Sequence, residues 1–102
     1  MTNRIYKNNA NILFLEGDIN YTNIHFKSGS MVTSCYTLSR HEKKLNSFIR
    51  ASRKHLVNPF HIKKYSKAGN YAELLLNNGL FIPVSRRKIK EVESALARLS
   101  HH

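Results

Sequence analysis

Carboxylates are scarce in this sequence, with six Asp and Glu against 17 Lys and Arg in 102 residues. A catalytic pair of acids, which needs two carboxylates held in different environments, has few residues to draw on. No HExxH or nucleophile-elbow spacing is present either. His25, His41, His55 and His61 could supply acid–base or metal chemistry, but Pro59 interrupts any strand that would align His55 with His61. No enzyme, metal site or cofactor is expected. Cys35 is the lone cysteine, which excludes an internal disulfide or a cysteine-rich zinc site and reads as a small strand residue. No apolar run approaches the roughly 18 to 20 residues of a membrane span, and "MTNRIYKNNANILF" lacks the apolar centre of a signal peptide. Membrane insertion is therefore not expected, and a cytoplasmic protein is.

What is abundant is positive charge. The balance of +11 in a chain long enough for one hydrophobic core points to a polyanionic partner, either through counterion release from phosphates or at an anionic surface. The expected organisation is a lead-in over residues 1–10, one domain over 11–99, and a tail over 100–102 whose closing "HH" could be native or a tag remnant.

Short apolar runs separated by turn residues predict a mainly β domain. "ILFLEG" (12–17) reads as a strand ended by glycine. "YTNIHF" alternates, with Thr22, Ile24 and Phe26 on one face. "KSGS" turns the chain, and "MVTSCYTL" returns it, giving a hairpin over 21–38. Ser39 and Glu42 have the spacing of a capping box, and Leu45, Phe48 and Ile49 fall on one helical face, which predicts a short internal helix over about 39–49. "HLVN", "HIKKYS", "YAELLL" and "LFIPV" read as further strands. Asn78-Gly79 signals a two-residue hairpin with positive φ at both positions. Ile89, Val92, Leu96 and Leu99 recur at spacings of three and four, predicting a C-terminal helix with Ser85 as its N-cap.

Three basic clusters are candidate binding sites. Arg86, Arg87 and Lys88 crowd the predicted first helical turn, where the macrodipole already places partial positive charge, so a phosphate there would turn a small cost into a gain. In "FIRASRKHLVNPFHI", Arg53 and Lys54 lie between a helix and a strand, suited to guanine and phosphate contacts respectively. Arg50, its stem lying over Phe48, and His55 read as structural. "HIKKYSK" adds Lys63 and Lys64 beside Tyr65, an aromatic that could stack on bases or simply belong to the core.

The order of "ILFLEGDINYTNIHFKSGS", "TLSRHEKKL", "FIRASRKHLVNPFHI" and "NNGLFIPVSRRKIKEV" resembles the LytTR DNA-binding domain of bacterial transcription regulators over about residues 11–93. Phe48, Arg50, Arg53, Leu56, Val57 and Asn58 match its central phrase, and Pro83 through Arg87 its closing one. Ser52, Lys54 and His55 depart from residues usual in the family, which bears on base preference more than on fold. The resemblance implies an elongated arrangement of short antiparallel sheets, a β-β-β fold with one short internal helix and a C-terminal helix. It also implies loops inserted into successive major grooves of double-stranded DNA, with a second copy on an adjacent direct repeat. Carried over by position, the base-reading candidates are Asn20, Tyr21, Arg53 and Arg86. The phosphate candidates are Lys54, Arg87, Lys88, Lys63 and Lys64.

Such domains usually follow a receiver domain, which this sequence does not contain, so it reads as an excised piece or as a free-standing regulator controlled by abundance, by dimerisation or by another protein partner. Two other readings stay open at this level: an RNA or single-strand binder stacking bases on Tyr65 and Tyr71, and a basic protein-interaction domain.

Overall fold

A computed structural model describes residues 9–99, so the expectations for residues 1–8 and for the tail 100–102 lie outside the described residues. Among the described residues, eight strands form two antiparallel sheets. The first contains β1 (Ile12–Gly17), β2 (Thr22–Phe26), β3 (Met31–Ser34), β4 (Ile49–Arg50) and β5 (His55–Val57), in the order β3-β2-β1-β5-β4. The second contains β6 (Ile62–Ala68), β7 (Tyr71–Leu76) and β8 (Phe81–Val84), in that order. Helix α1 (Leu38–Lys44) is internal, and α2 (Ile89–Leu99) is C-terminal. The longest dimension is 41 Å against 30 and 23 Å, in keeping with the elongated form expected.

The "ILFL" run is apolar without alternation because β1 is covered on both faces. Ile12 and Leu15 join Ile24, Leu38, Leu45, Phe48 and Leu56 in a core under α1. Leu13, Phe14 and Val57 join Ala72, Leu74, Leu76, Ile82, Val84, Ile89 and Val92 in a second core, between the sheets and α2. A bulge between Ile12 and Phe14 shifts the register against β2, which lets neighbouring Leu13 and Phe14 both serve the second core. Burying a Leu or Ile fully contributes about 1.5–3 kcal/mol, and β1 supplies Ile12 and Leu15 at 0% exposure.

Several local expectations are corrected. Helix α1 starts one residue before Ser39, and its N-cap is Thr37, whose hydroxyl accepts the Arg40 N–H at 3.4 Å. Glu42 does not close a capping box; it pairs with Arg50 at 2.6 Å. The helix ends at Lys44, and Ile49 lies in β4, opposite Val57. Leu45, Phe48 and Ile49 are therefore no helical face: the first two enter one core and Ile49 the other. Strand β3 stops at Ser34, and Cys35 is exposed in the bend that follows, not in a strand.

At Asn78-Gly79 only Gly79 has positive φ, at +92°. Leu76 and Gly79 N–H donate to the Leu80 and Leu76 carbonyls respectively, the pattern of a three-residue hairpin loop with glycine in the left-handed position. Residues 9 and 10 are exposed but hydrogen-bonded to the body: Asn58 Nδ2 donates to the Asn9 carbonyl at 3.1 Å and to that of Ile12 at 2.8 Å, while His61 Nε2 bonds Ala10 O at 2.5 Å. Leu99, the last residue of the α2 stripe, is exposed.

His41 is fully buried on α1, its Nε2 2.8 Å from Ser34 Oγ. Burial holds its pKa below the usual 6.5. The unfolded chain therefore takes up the proton first, and the stability present above about pH 6.5 is lost as pH falls toward the depressed folded value. His55 is shifted in the same direction. Denaturant titrations across pH 5–8 should show this fall, and His41→Gln should flatten it. In the same assay, Leu56→Ala should lower stability by about 2–5 kcal/mol at constant m-value, because Leu56 is fully buried where β5 faces α1.

Candidate nucleic-acid interface

Strand polarity gathers three separate chain segments at one end of the molecule. Strand β1 runs into the segment 18–21 after Gly17, while β5, antiparallel to it, starts opposite Glu16 at His55. The loop 51–54 is therefore beside the first. Two backbone bonds lock the set together: Gly17 N–H donates to Lys54 O at 2.7 Å, and Ser85 N–H donates to Ala51 O at 2.9 Å. Ala51 is fully buried, so the second bond ties both loops to the rigid body. At Gly17 a Cβ would lie 3.0 Å from Leu38 Cβ, so glycine permits the close approach of α1 to the end of β1.

Arg50 sets the shape of the central loop. Its Nε donates to Ser52 O at 2.7 Å, one terminal nitrogen to Arg53 O at 2.9 Å, and the other to Glu42 Oε1 at 2.6 Å. One guanidinium thus binds two loop carbonyls and an α1 carboxylate, and the Arg53 and Lys54 side chains are left exposed. The expectation that its stem merely covers Phe48 missed this role. His55 closes the loop from below: its carbonyl accepts the Ala51 N–H, and its Nδ1 lies 3.3 Å from Ser52 Oγ. Burial holds the ring's pKa below its usual 6.5, against the pull of Glu16, whose Oε2 is 4.0 Å from Nε2.

The third segment differs from the expected helix start. Arg86–Lys88 form a 3-10 turn ahead of α2, and the Ser85 side chain makes no cap bond. The backbone N–H of Ser85 is its contribution, through Ala51. Lys88 is half-buried and paired with Glu91 at 3.5 Å, while Arg86 and Arg87 are exposed. In the first segment Asn20 and Tyr21 are exposed too. The Asp18 carboxyl is held below its usual range, first by the Ile19 N–H and then by the Tyr21 hydroxyl and Lys54. Tyr21 therefore starts from a hydrogen bond to Asp18, which raises its own pKa.

Other candidates stand apart. Lys64 is level with Leu75 and, across β7, with Phe81, whereas Lys67 is level with Ala72 and Val84, next to Ser85. The exposed Lys63 and Lys64 therefore lie toward the far end of the second sheet. Tyr65 is no stacking platform: its hydroxyl donates to Glu93 Oε2 at 2.6 Å. Burial and that carboxylate push its pKa up to about 12. Tyr71 is exposed, with its hydroxyl on Glu73. Among the described residues there is no group of three or more His, Cys, Asp or Glu able to hold a metal, and no helix is long and apolar enough to cross a membrane.

Comparison with known proteins identifies the family of the fold. Residues 3–97 match the model of the LytTr DNA-binding domain. Over 49 residues, 47% of the chain, it is 43% identical to the transcriptional regulatory protein BtsR of Escherichia coli K12, and equally to that of Shigella flexneri. The chain spans about a fifth of the length of these relatives (20%). A solved LytTr DNA-binding domain of a methyl-accepting/DNA response regulator from Bacillus cereus superposes with a TM-score of 0.78 at 28% identity, covering 85% of this chain and 82% of that one. With a matching family model across nearly its whole length and loops that gather cations at one end of a two-sheet body, the chain belongs to the LytTR family of DNA-binding domains, a family of transcription regulators and not of enzymes.

Proposed function

We propose that this domain is a sequence-specific reader of duplex DNA in transcription regulation, placing its loops in successive major grooves of paired direct repeats. The observation that supports it most is the locked set of three segments, joined through Lys54 O to Gly17 and through Ala51 O to Ser85. Arg53, Lys54, Arg86 and Arg87 project from that set. A long axis of 41 Å is commensurate with the roughly 34–36 Å of one B-DNA turn. Arg53 and Arg86 are the base readers, presenting forked donors suited to guanine O6 and N7. Lys54 and Arg87 bind phosphate. Asn20 and Tyr21 extend the base-facing edge, with Tyr21 exchanging its bond to Asp18 for one to DNA. Lys88, shared with Glu91, and the outlying Lys63 and Lys64 add longer-range attraction within the +11 field. The regulator as a whole acts with a second copy and under the control of a further protein partner.

Selection of bound sequences from a random duplex pool should recover a pair of direct repeats; recovery of no preferred motif would refute sequence-specific reading. On the selected site, Arg53→Ala and Arg86→Ala should each weaken binding by about 1–3 kcal/mol and relax base preference. Unchanged affinity at fixed salt would remove them from the base-reading set. Lys54→Ala and Arg87→Ala should weaken specific and non-specific binding alike, and should reduce the slope of log K against log salt by about 0.9 per lost contact.

A further inference from the structure

We infer that Ile19 is a specificity-determining residue, which recognises the 5-methyl group of a thymine in the major groove next to the base contacted by Arg53. The inference rests on the duplex-DNA reading above and adds to it a contact of a different chemistry.

Ile19 is 86% exposed, the highest value among the large hydrophobic side chains described. Placing isoleucine there forgoes the stabilisation that burial would supply. The backbone around it shows why it does not fold back. Asp18 N–H donates to Tyr21 O at 2.8 Å, closing the turn, and Ile19 N–H donates to Asp18 Oδ1 at 2.7 Å. With those groups satisfied, and with Gly17 fixed to Lys54, the side chain is held at the tip. It lines one cleft together with Arg53 and Lys54, so the two loops face the same space. Phe60 is nearly as exposed, at 78%, but lies edge-on to His61, away from this set.

An apolar tip among cations has nothing to gain from a phosphate or from water. In the major groove, base edges offer donors and acceptors at every position and one apolar group, the thymine methyl. A β-branched side chain, stiff at χ1, can cover that methyl with little loss of rotamer freedom. The arrangement therefore selects thymine over cytosine and over uracil, which pairs identically but lacks the methyl.

The test uses the full chain and the duplex recovered by selection, replacing each thymine in turn by uracil and measuring affinity at fixed salt. Wild type should lose about fourfold at one or two thymines adjoining the Arg53-dependent base, the factor that burial of one methyl-sized group supplies. Ile19→Ala should bind the parent site about fourfold or more weakly and respond to uracil at those positions no further, while Arg53→Ala should keep the uracil effect. An unchanged melting temperature for Ile19→Ala shows that the loss is not one of folding. The inference is overturned if wild type is indifferent to uracil throughout, if Ile19→Ala binds like wild type, or if the two losses simply add. Failure to select any preferred duplex would overturn the underlying reading, and this inference with it.

Discussion

The structure depends on burying β1 and β5 from both sides. Leu15 and Leu56 face α1, while Phe14 and Val57 face the second sheet and α2. Interiors packed to crystal-like density do not deform gradually, so strands held in this way end at fixed places. Gly17 and His55 are those ends, and the loops beyond them inherit their positions. A domain of this size has little stability to spare. Sharing the two central strands between both cores lets one short chain cover two layers with few residues.

Loops of this kind need internal order before they can discriminate between ligands, since freezing a mobile loop on binding costs about 1–2 kcal/mol per residue. Here the order comes from Arg50, which spends its donors on Glu42 and two loop carbonyls, and from the two backbone bonds to Gly17 and Ser85. Glu42 is one of only six acids, and its use inside the clamp shows how the acids are deployed. Glu93 holds Tyr65, Glu91 answers Lys88, and Asp18 fastens its own turn. Most of the cationic surface is thereby left for an anionic partner, while the acids secure local geometry.

Much of the strand pattern was legible, because alternation in "YTNIHF" and the glycine turns state period and boundaries directly. The internal helix was legible in its existence and near its start, but not in where it ends. Leu45, Phe48 and Ile49 have helical spacing, yet they serve two different cores on opposite faces of a sheet, and spacing alone cannot distinguish one face from two. Ser85 is another such position: its identity suggested a side-chain cap, whereas its backbone N–H makes the connection. Lys63 and Lys64 read as a basic cluster of their own, and only the turn at Pro59–His61, which carries them to the second sheet, shows how far they lie from the reading loops. Ile19 left no sequence signal, since one isoleucine in "GDIN" becomes informative only when its exposure is known.

The sequence by itself determined the charge, the glycine turns, most of the strands and the family motifs, because these depend on residue types and on contacts a few positions apart. Which cations stand together, which are spent internally, and how stiffly the reading loops are held were decided only by tertiary structure. The physical reason is that the deciding bonds join residues 37 and 34 positions apart, Gly17 to Lys54 and Ala51 to Ser85, and such pairings follow from how two sheets close on one another.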